Sequence, residues 1–555
     1  MAAKIEDLKA QMSQMEGERY QFASHCQEIV DNILFWFQDI HTNSPAGIKK
    51  TANIADGSPA YYAKLFADGF SAKNVNPAMP WFKLQPEDEV LMNDRDVRLW
   101  LDLLEKDYNS VFRRSNFYTA DKAGTVSWAI LGTDPIFIGP HPVWGCHFQN
   151  IPLGETFLAS DQYGQIDTLF RRFEKTAKQV VQQWGEDKAS KQVRSLLNQN
   201  KPQEKVVIVH AVQPRLDRDP RKIDNKNMPW SSTYFEYKTE HILNETGYLE
   251  FPYCVGRYDV MSPEDYGRGL GMIALPDVKE LQARERSTTK AGQLQLAPPV
   301  LLSDDGFAGT PIKRIPNGYT FVRSEGRMQD KIGVFPTAAN LAWSEQGMDN
   351  LRRRISQTFY ADLMSVAMDK AVTLGEFMEV AQEKMQLLGS SVVRRQDEIY
   401  KPLFDRVFHI RWQAGKIPPP PRNLIGEDGE LRFKIEYISP MARAQQRAQS
   451  QGIIQGIGFL GQVAQVRGPE ALDVLDWDGA SRIVLENHSV PVNLIIDPKV
   501  VEQARAARAK AAQEQQMAAM AMEAAKAMPA LSKGPEPGSP MDQLGQTLNQ
   551  GAGNV

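Results

Sequence analysis

Two long helical segments separated by a stretch that cannot be helical constrain this chain more than any other feature. Asp277 to Gln295 reads as a helix of about 28 Å by its rise per residue, preceded by Pro276 and closed before Pro298 and Pro299. Its apolar stripe, Val278, Leu281, Thr288, Ala291 and Leu294, is thin, so the helix needs neighbours to complete its burial. The second segment places Met348, Leu351, Ile355, Phe359, Leu363 and Val366 along one face and is expected to end near Met368. Between the two, short β-prone pieces (PVLL, YTFV) are punctuated by Gly306, Gly309, Pro311, Pro316, Gly318 and Gly326, the pattern of a small, loop-rich β insertion. Thr373 and Glu376 match a capping box that opens a further helix, with Phe377, Met378, Ala381, Met385 and Leu388 on its face. That leaves Asp369, Lys370, Ala371 and Val372 as a tight break.

The rest of the chain mixes both periodicities. Helices are expected over Ile5 to Phe37, Ser58 to Phe70 and Asp96 to Phe112, the last with Val97, Trp100, Leu101, Leu104, Tyr108 and Val111 in one stripe, and another ends near Leu131. Asn76 to Leu84 carries Pro77, Pro80, Trp81 and Phe82 and reads as a rigid connector with a bulky anchor. Ile136 to Ile138 and Thr156 to Ala159 read as short strands, Thr168 to Trp184 as helix, and Lys205 to Val212 as a buried strand. Further on, Tyr400 to Gly415 is helical and Pro418 to Pro421 stop it; Leu431, Phe433, Ile435 and Tyr437 alternate as a strand; Pro440 to about Gln465 is helical again. Val500 to Met528 is rich in Ala, Gln and Lys, a helix with little amphipathicity, and Pro529 to Val555 has the composition of a disordered tail. The fold class is α+β, predominantly helical, in three or four structural units for 555 residues.

Charge and motifs exclude more than they assign. A net charge of -4 argues against a general nucleic-acid coat, so any contact with DNA is local or weak. Cys26, Cys146 and Cys254 lie far apart without CxxC spacing, which fits a reducing cytoplasm and no disulfide or zinc framework. The expected chain has no signal peptide and no run of about 18 apolar residues, hence no membrane partner. Gly267, Arg268, Gly269, Leu270 and Gly271 before a helix invite a nucleotide reading, but the spacing is neither GxGxxG nor GxxxxGK, and a turn for close packing explains them better. His141, Cys146 and His147 lack a fourth ligand at fixed spacing, and Pro140, Pro142 and Gly145 explain that segment as a loop. The carboxylates Glu470, Asp473, Asp476 and Asp478 read as a solvated acidic loop. No GxSxG or HExxH gives hydrolase chemistry an anchor, so neither an enzyme nor a cofactor is expected. Arg352, Arg353 and Arg354, and the basic residues among Arg215 to Lys226, read as local or intersubunit ion pairs, whereas Lys370 at the break is free to face a channel.

Several runs match a known family. Phe251 through YDVMSPEDYGRGLGMIALPDVKEL to APPVLL at Ala297 resembles the core of podovirus head-to-tail connector proteins, the portals of short-tailed bacteriophages. Further matches are WFKL at Trp81, GQIDTLFRRFEKTAKQ at Gly164, VIVHAVQPR at Val207 and YISPMARAQ at Tyr437. The resemblance implies a homo-oligomeric, twelve-subunit ring with wing, stem, clip and crown regions around a channel for double-stranded viral DNA, at the portal vertex of the capsid in the virion. It also implies assembly in the host bacterial cytoplasm. The implied partners are the terminase large subunit, the major capsid and scaffolding proteins, and tail adaptor or tail tube proteins. On that pattern residues 1–262 form the wing, 263–297 the first stem helix with Val278, Leu281 and Leu294, and 298–343 the clip. Residues 344–368 form the second stem helix with Leu351, Ile355 and Phe359, 369–439 the tunnel loop and return to the wing, 440–528 the crown and 529–555 a disordered tail. A nucleotide-binding enzyme built on Gly267 to Gly271 would bind nucleotide as a monomer or small oligomer, and an elongated tail or scaffold protein would assemble without a helix-lined pore.

Overall fold

The computed structural model describes residues 2–41, 50–219, 221–222, 224–225, 227–303, 315–322, 332–334, 341–364, 388–426, 429–438, 440–468, 473–487, 496 and 498–531. These divide into two compact units, Met1–Leu91 with Trp100–Gln445, and Met92–Leu99 with Gln446–Val555.

The larger unit is α+β. Its first helix, α1 (Ala2–Asn32), uses one end to cover a sheet and the other to enter a central core. Ile5, Leu8, Met12 and Met15 pack on Phe157, Phe170, Val209 and Phe235, while Cys26, Ile29, Val30 and Leu34 join the core with Phe66 and Phe70 of α2 (Ser58–Asn74). The expectation that α1 reaches Phe37 is corrected. The chain turns after Asn32, where the Gln27 side chain accepts the Ile40 N–H at 2.8 Å and folds the following residues back.

A second correction concerns Asn76 to Leu84. Phe82–Pro86 is a strand, β1, preceded by a turn at the prolines. Trp81 and Phe82 are buried among Phe112, Phe117, Tyr400 and Phe404, with ring centroids 4.7–6.0 Å apart. After α3 (Arg95–Arg114), α4 (Phe117–Val126) runs through a π-helical turn (Ser127–Leu131) into β2 (Thr133–His141). β2 is the middle strand of a small sheet with β3 (Gly145–Asn150), and the segment carrying His141, Cys146 and His147 is this hairpin, not a loop. Pro140 opposes Cys146 and His141 opposes Gly145 in its register.

A five-stranded antiparallel meander follows: β4 (Thr156–Ser160), β5 (Ile166–Thr176), β6 (Lys205–Pro214), β7 (Trp230–Glu236) and β8 (Ile242–Tyr248). The helix expected from Thr168 to Trp184 is overturned in its first half. Residues through Thr176 are strand, and only Ala177–Trp184 is helix (α5), opened by a capping box between Thr176 and Gln179. Arg171 and Arg172, which read as helix formers, are held by tertiary partners. Arg171 pairs with Glu155 at 2.9 Å, and Arg172 pairs with Glu16 at 2.7 Å over the Phe157 ring. α5 and α6 (Lys191–Asn198) cover the other face through Val180, Val193 and Ile208. β9 (Tyr253–Arg257) returns to pair with β2.

Then comes α7 (Leu270–Leu296), and a three-stranded sheet in which β10 (Val300–Ser303) lies between β11 (Tyr319–Val322), parallel, and β12 (Ile332–Val334), antiparallel. α8 (Leu341–Thr358), α9 (Ala361–Met364), α10 (Gly389–Arg395), a π-helical turn (Gln396–Tyr400) and α11 (Lys401–Gln413) lead to β13 (Phe433–Tyr437), which pairs antiparallel with β1. Alternation in β13 is as expected, with Phe433, Ile435 and Tyr437 half-buried and Lys434 and Glu436 exposed. α12 (Pro440–Arg467) continues into the smaller unit, which also holds α13 (Trp477–Asn487) and α14 (Pro498–Leu531). Asp476 accepts the N–H groups of Asp478 and Gly479 at the start of α13, and Asp478 pairs with Arg505, so these acids have structural partners.

Candidate functional site

The paired long helices are the part of the chain that its own fold least explains, and they are built from a glycine-rich foot. α7 starts at Leu270, earlier than Pro276 suggests, and Pro276 sits inside it. Gly267, Gly269 and Gly271 are where two backbones touch. A Cβ on Gly267 would lie 2.2 Å from the Gly132 carbonyl oxygen, and on Gly269 or Gly271 it would lie 2.4 or 2.6 Å from that of Ile130. The Gly267 N–H donates to Thr133 Oγ1 at 2.9 Å, in a buried position. The cluster is therefore a seat for the helix against the 130–133 segment.

From this foot α7 and α8 run antiparallel, because contacts climb one helix as they descend the other. Thr288 and Ser344 hydroxyls are 2.6 Å apart, Arg352 reaches Glu285 at 3.2 Å, and Arg354 reaches Asp277 at 2.7 Å. Arg352 is the centre of a network that also takes in Asp56 and Asp349, both at 2.8 Å. Burial would raise the Asp56 carboxyl, but the Ser58 N–H and the Arg352 guanidinium outweigh it and hold it below its ordinary value. Buried Gln282 accepts from the N–H groups of Ala55 and Asp56 and donates to the Asp56 carbonyl at 2.7 Å. The residues before α2 are thus tied to both long helices. Of the three consecutive arginines, Arg352 and Arg354 make local ion pairs and Arg353 is exposed.

Val278, Leu281, Leu351, Ile355 and Phe359 are all buried in the central core of their own chain, packed with α1 and α2, and Leu294 is only half-buried. α8 does not run to Met368: it ends at Thr358, and Tyr360 takes a left-handed conformation at φ 49° before α9 restarts. The break turns Phe359, Ala361 and Met364 into the core, and Gly69 of α2 leaves the space that the Met364 side chain fills. Asp369, Lys370, Ala371, Val372, the Thr373 capping box and most of its helix lie outside the described residues, as does Pro529 to Val555 beyond residue 531.

Sequence reasoning missed the charged cluster behind the foot. Arg395, 1% exposed, donates to Asp121 Oδ1 at 3.0 Å, Thr125 Oγ1 at 3.1 Å and the Tyr400 hydroxyl at 3.2 Å, and its guanidinium lies over the Trp128 ring. Asp134, fully buried, accepts from Asn150 at 2.5 Å, while its other oxygen stands 3.6 Å from Arg395. Burial pushes the Asp134 carboxyl up to about 7, with Arg395 opposing and Asp121 adding to the rise. Two aspartates facing one arginine have no periodicity in sequence, so no local signal reports them. Nearby, a cleft of about 1650 Å³ is lined by the β4–β5 turn, the residues around Arg257 and α10 to α11, and Arg257 is locked to Glu398 by a 2.7 Å pair across it. Among the described residues no three His, Cys, Asp or Glu side chains are grouped to hold a metal ion, and no helix is long and apolar enough to cross a membrane.

The chemistry of this site is mechanical: buried polar groups bind the helix pair to the body of the chain. Residues 6–496 match the model of the family described as bacteriophage head to tail connecting protein. The chain belongs to that family. The connector is similar over 95% of its length, at 30% identity, to the portal protein of Salmonella phage epsilon15, of which 95% is covered. It is equally similar, at 30% identity over 92% of both chains, to the probable portal protein of Bordetella phage BPP-1.

Proposed function

We propose that this connector is the portal subunit of a short-tailed phage, working as a closed, twelve-subunit ring at one capsid vertex of the virion, through which double-stranded DNA is packaged and ejected. The observation that carries this reading is similarity to two phage portal proteins over more than nine-tenths of each chain. In it, α7 and α8 are the stem, the β10–β12 sheet belongs to the clip that receives the terminase large subunit and later the tail adaptor, and the α12–α14 region is the crown. The body of the larger unit is the wing, in contact with capsid and scaffolding proteins.

The mechanism follows from what a channel must avoid. DNA sliding through every register is hindered by base reading and by tight phosphate neutralisation. A chain with net charge -4, whose stem arginines Arg352 and Arg354 are tied up in ion pairs, makes few lasting phosphate contacts. The reading is tested by native mass spectrometry and negative-stain imaging of the purified chain. A closed ring with a central pore is expected, and monomers only, across salt and concentration, would overturn it. Within the ring the reading puts Asp369 to Val372 in a tunnel loop. Lys370→Ala is then expected to leave ring stability unchanged and alter DNA packaging or retention. Weakened rings with unchanged packaging would instead place Lys370 in an intersubunit ion pair.

A further inference from the structure

One buried cluster holds more acid than its single cation balances. Asp121 of α4, Asp134 of β2 and Arg395 of α10 are each no more than 1% exposed. Arg395 donates through Nη2 to Asp121 Oδ1 at 3.0 Å and Thr125 Oγ1 at 3.1 Å, while its Nη1 stands 3.6 Å from Asp134 Oδ2, beyond hydrogen-bond reach. Neither of these two facing atoms has a hydrogen-bond partner among the described residues. Asp134 is also pressed against the bare backbone of Gly124, where a Cβ would lie 2.2 Å from Oδ2. Two ionised carboxylates around one guanidinium leave a net negative charge shielded from water, a state that one proton removes. The cluster lies between the π-helical turns Ser127–Leu131 and Gln396–Tyr400, whose Trp128 ring and Tyr400 hydroxyl both contact Arg395. Turns of that kind are rare and concentrate at functional sites. Thr133, next to Asp134, accepts the Gly267 N–H that seats α7, so the cluster joins that seat to α10.

We infer that this cluster is a proton-operated latch between β2 and α10. With one proton on the Asp121 and Asp134 pair it is electrically balanced and closed, and loss of that proton favours a local opening that lets water reach the carboxylate. The inference concerns the single chain and does not depend on the ring reading. The groups facing Asp134 set the direction. Burial favours the protonated form and Asp121 on α4 adds to it, while Arg395 on α10 and the Asn150 amide on β3 oppose them; the closed fold keeps its proton up to about pH 7. Cys254 on β9 and Tyr400 bring no charge, because burial pushes both groups up, and the Tyr400 hydroxyl donates to Asp121 at 3.1 Å. The closed latch therefore holds a proton that the open one releases. Opening grows by up to about tenfold per pH unit between about pH 4 and 7 and levels off above.

Hydrogen exchange on the full chain, corrected for the intrinsic rate at each pH, tests the latch. Protection of peptides spanning residues 121–134 and 389–400 should fall by up to about tenfold per unit between about pH 5 and 7 and stay level to about pH 8. Because the opening is local, these amides should exchange well before those of β6 and β7 and respond little to added urea. Asp134→Asn, neutral at every pH, should remove the slope and keep the protection of the closed state. Should that variant fail to fold, infrared difference spectra of the wild-type chain supply a second readout: the band of a buried protonated carboxyl should be present at about pH 6 and gone at about pH 8. A slope that survives in Asp134→Asn would overturn the inference. So would latch amides that exchange together with those of β6 and β7 and with the same urea dependence, or a wild-type chain lacking either the slope or the band.

Discussion

The two halves of α7 differ in what covers them. From Leu270 to Gln282 seven residues are buried, among them Leu275, Val278 and Leu281, and they share a core with Leu351, Ile355 and Phe359. Between 283 and 296 no residue is buried, and Leu296 is 89% exposed. A single element therefore has a root that belongs to the chain's own core and a tip held mainly by its pairing with α8. The root finds the neighbours its thin stripe needs within its own chain: α1, α2 and α8 supply its cover. Only the tip retains that need.

The comparison breaks most easily at the root. Ile355→Ala removes three buried carbons from a site with 0% exposure, and the expected loss is about 2–5 kcal/mol in unfolding free energy by denaturant titration. A loss well under 1 kcal/mol would mean that the root is loosely packed and resembles the tip. Gly269→Ala comes next, at about 1–3 kcal/mol, because the new Cβ would meet the Ile130 carbonyl at 2.4 Å. If those glycines instead served to admit a phosphate, alanine would leave stability unchanged and abolish nucleotide binding.

Asp134 sharpens the same contrast through pH, since it lies just beyond the 130–133 seat of the root. Its folded carboxyl is raised to about 7 from an ordinary 3.8, so the folded state holds a proton that the unfolded chain releases. That stabilisation is complete below about pH 4 and lost as pH rises to about 7, at no more than about 1.4 kcal/mol per pH unit. Asp134→Asn keeps an acceptor for Asn150 and stays neutral, so its unfolding midpoint should lack this fall and lie above wild type at pH 7–8. Parallel pH profiles for the two proteins would show that Asp134 is ionised in the fold and fully paired with Arg395.

What sequence made legible follows the range of the forces involved. Helical spacing identified α2, α3 and α8, alternation identified β13, and a continuous apolar run identified β6, because each of these patterns is local. The glycine cluster was readable as a packing turn for the same reason. β5 was not, since Arg171 and Arg172 are stabilised in a strand by Glu155, Glu16 and Phe157, all distant in sequence. Nor was the early end of α8, where Phe359 continues a helical stripe while Tyr360 turns left-handed and its ring lies 6.1 Å from that of Phe66, far away in sequence. The Arg395 cluster joins residues 121, 134 and 395, and nothing in the neighbourhood of any one of them announces the others.

The smallest effect is the most discriminating for the tip. Leu294 is half-buried, lies beyond the last core residue of α7, and was read from sequence as part of a stripe awaiting a neighbour. If the tip gains cover only on assembly, Leu294→Ala should change the unfolding free energy of the monomer by no more than about 0.5 kcal/mol, as substitutions outside a packed core do. The same variant should lower the thermal stability of the assembled ring by a few degrees, because each subunit then loses apolar contact at a repeated interface. Measuring monomer and ring side by side separates the possibilities. Equal losses in both would mean that α8 already buries Leu294 and that the tip is as self-contained as the root. No change in either would place Leu294 toward solvent or a channel, and the contrast between root and tip would then be one of burial alone, with no interface implied.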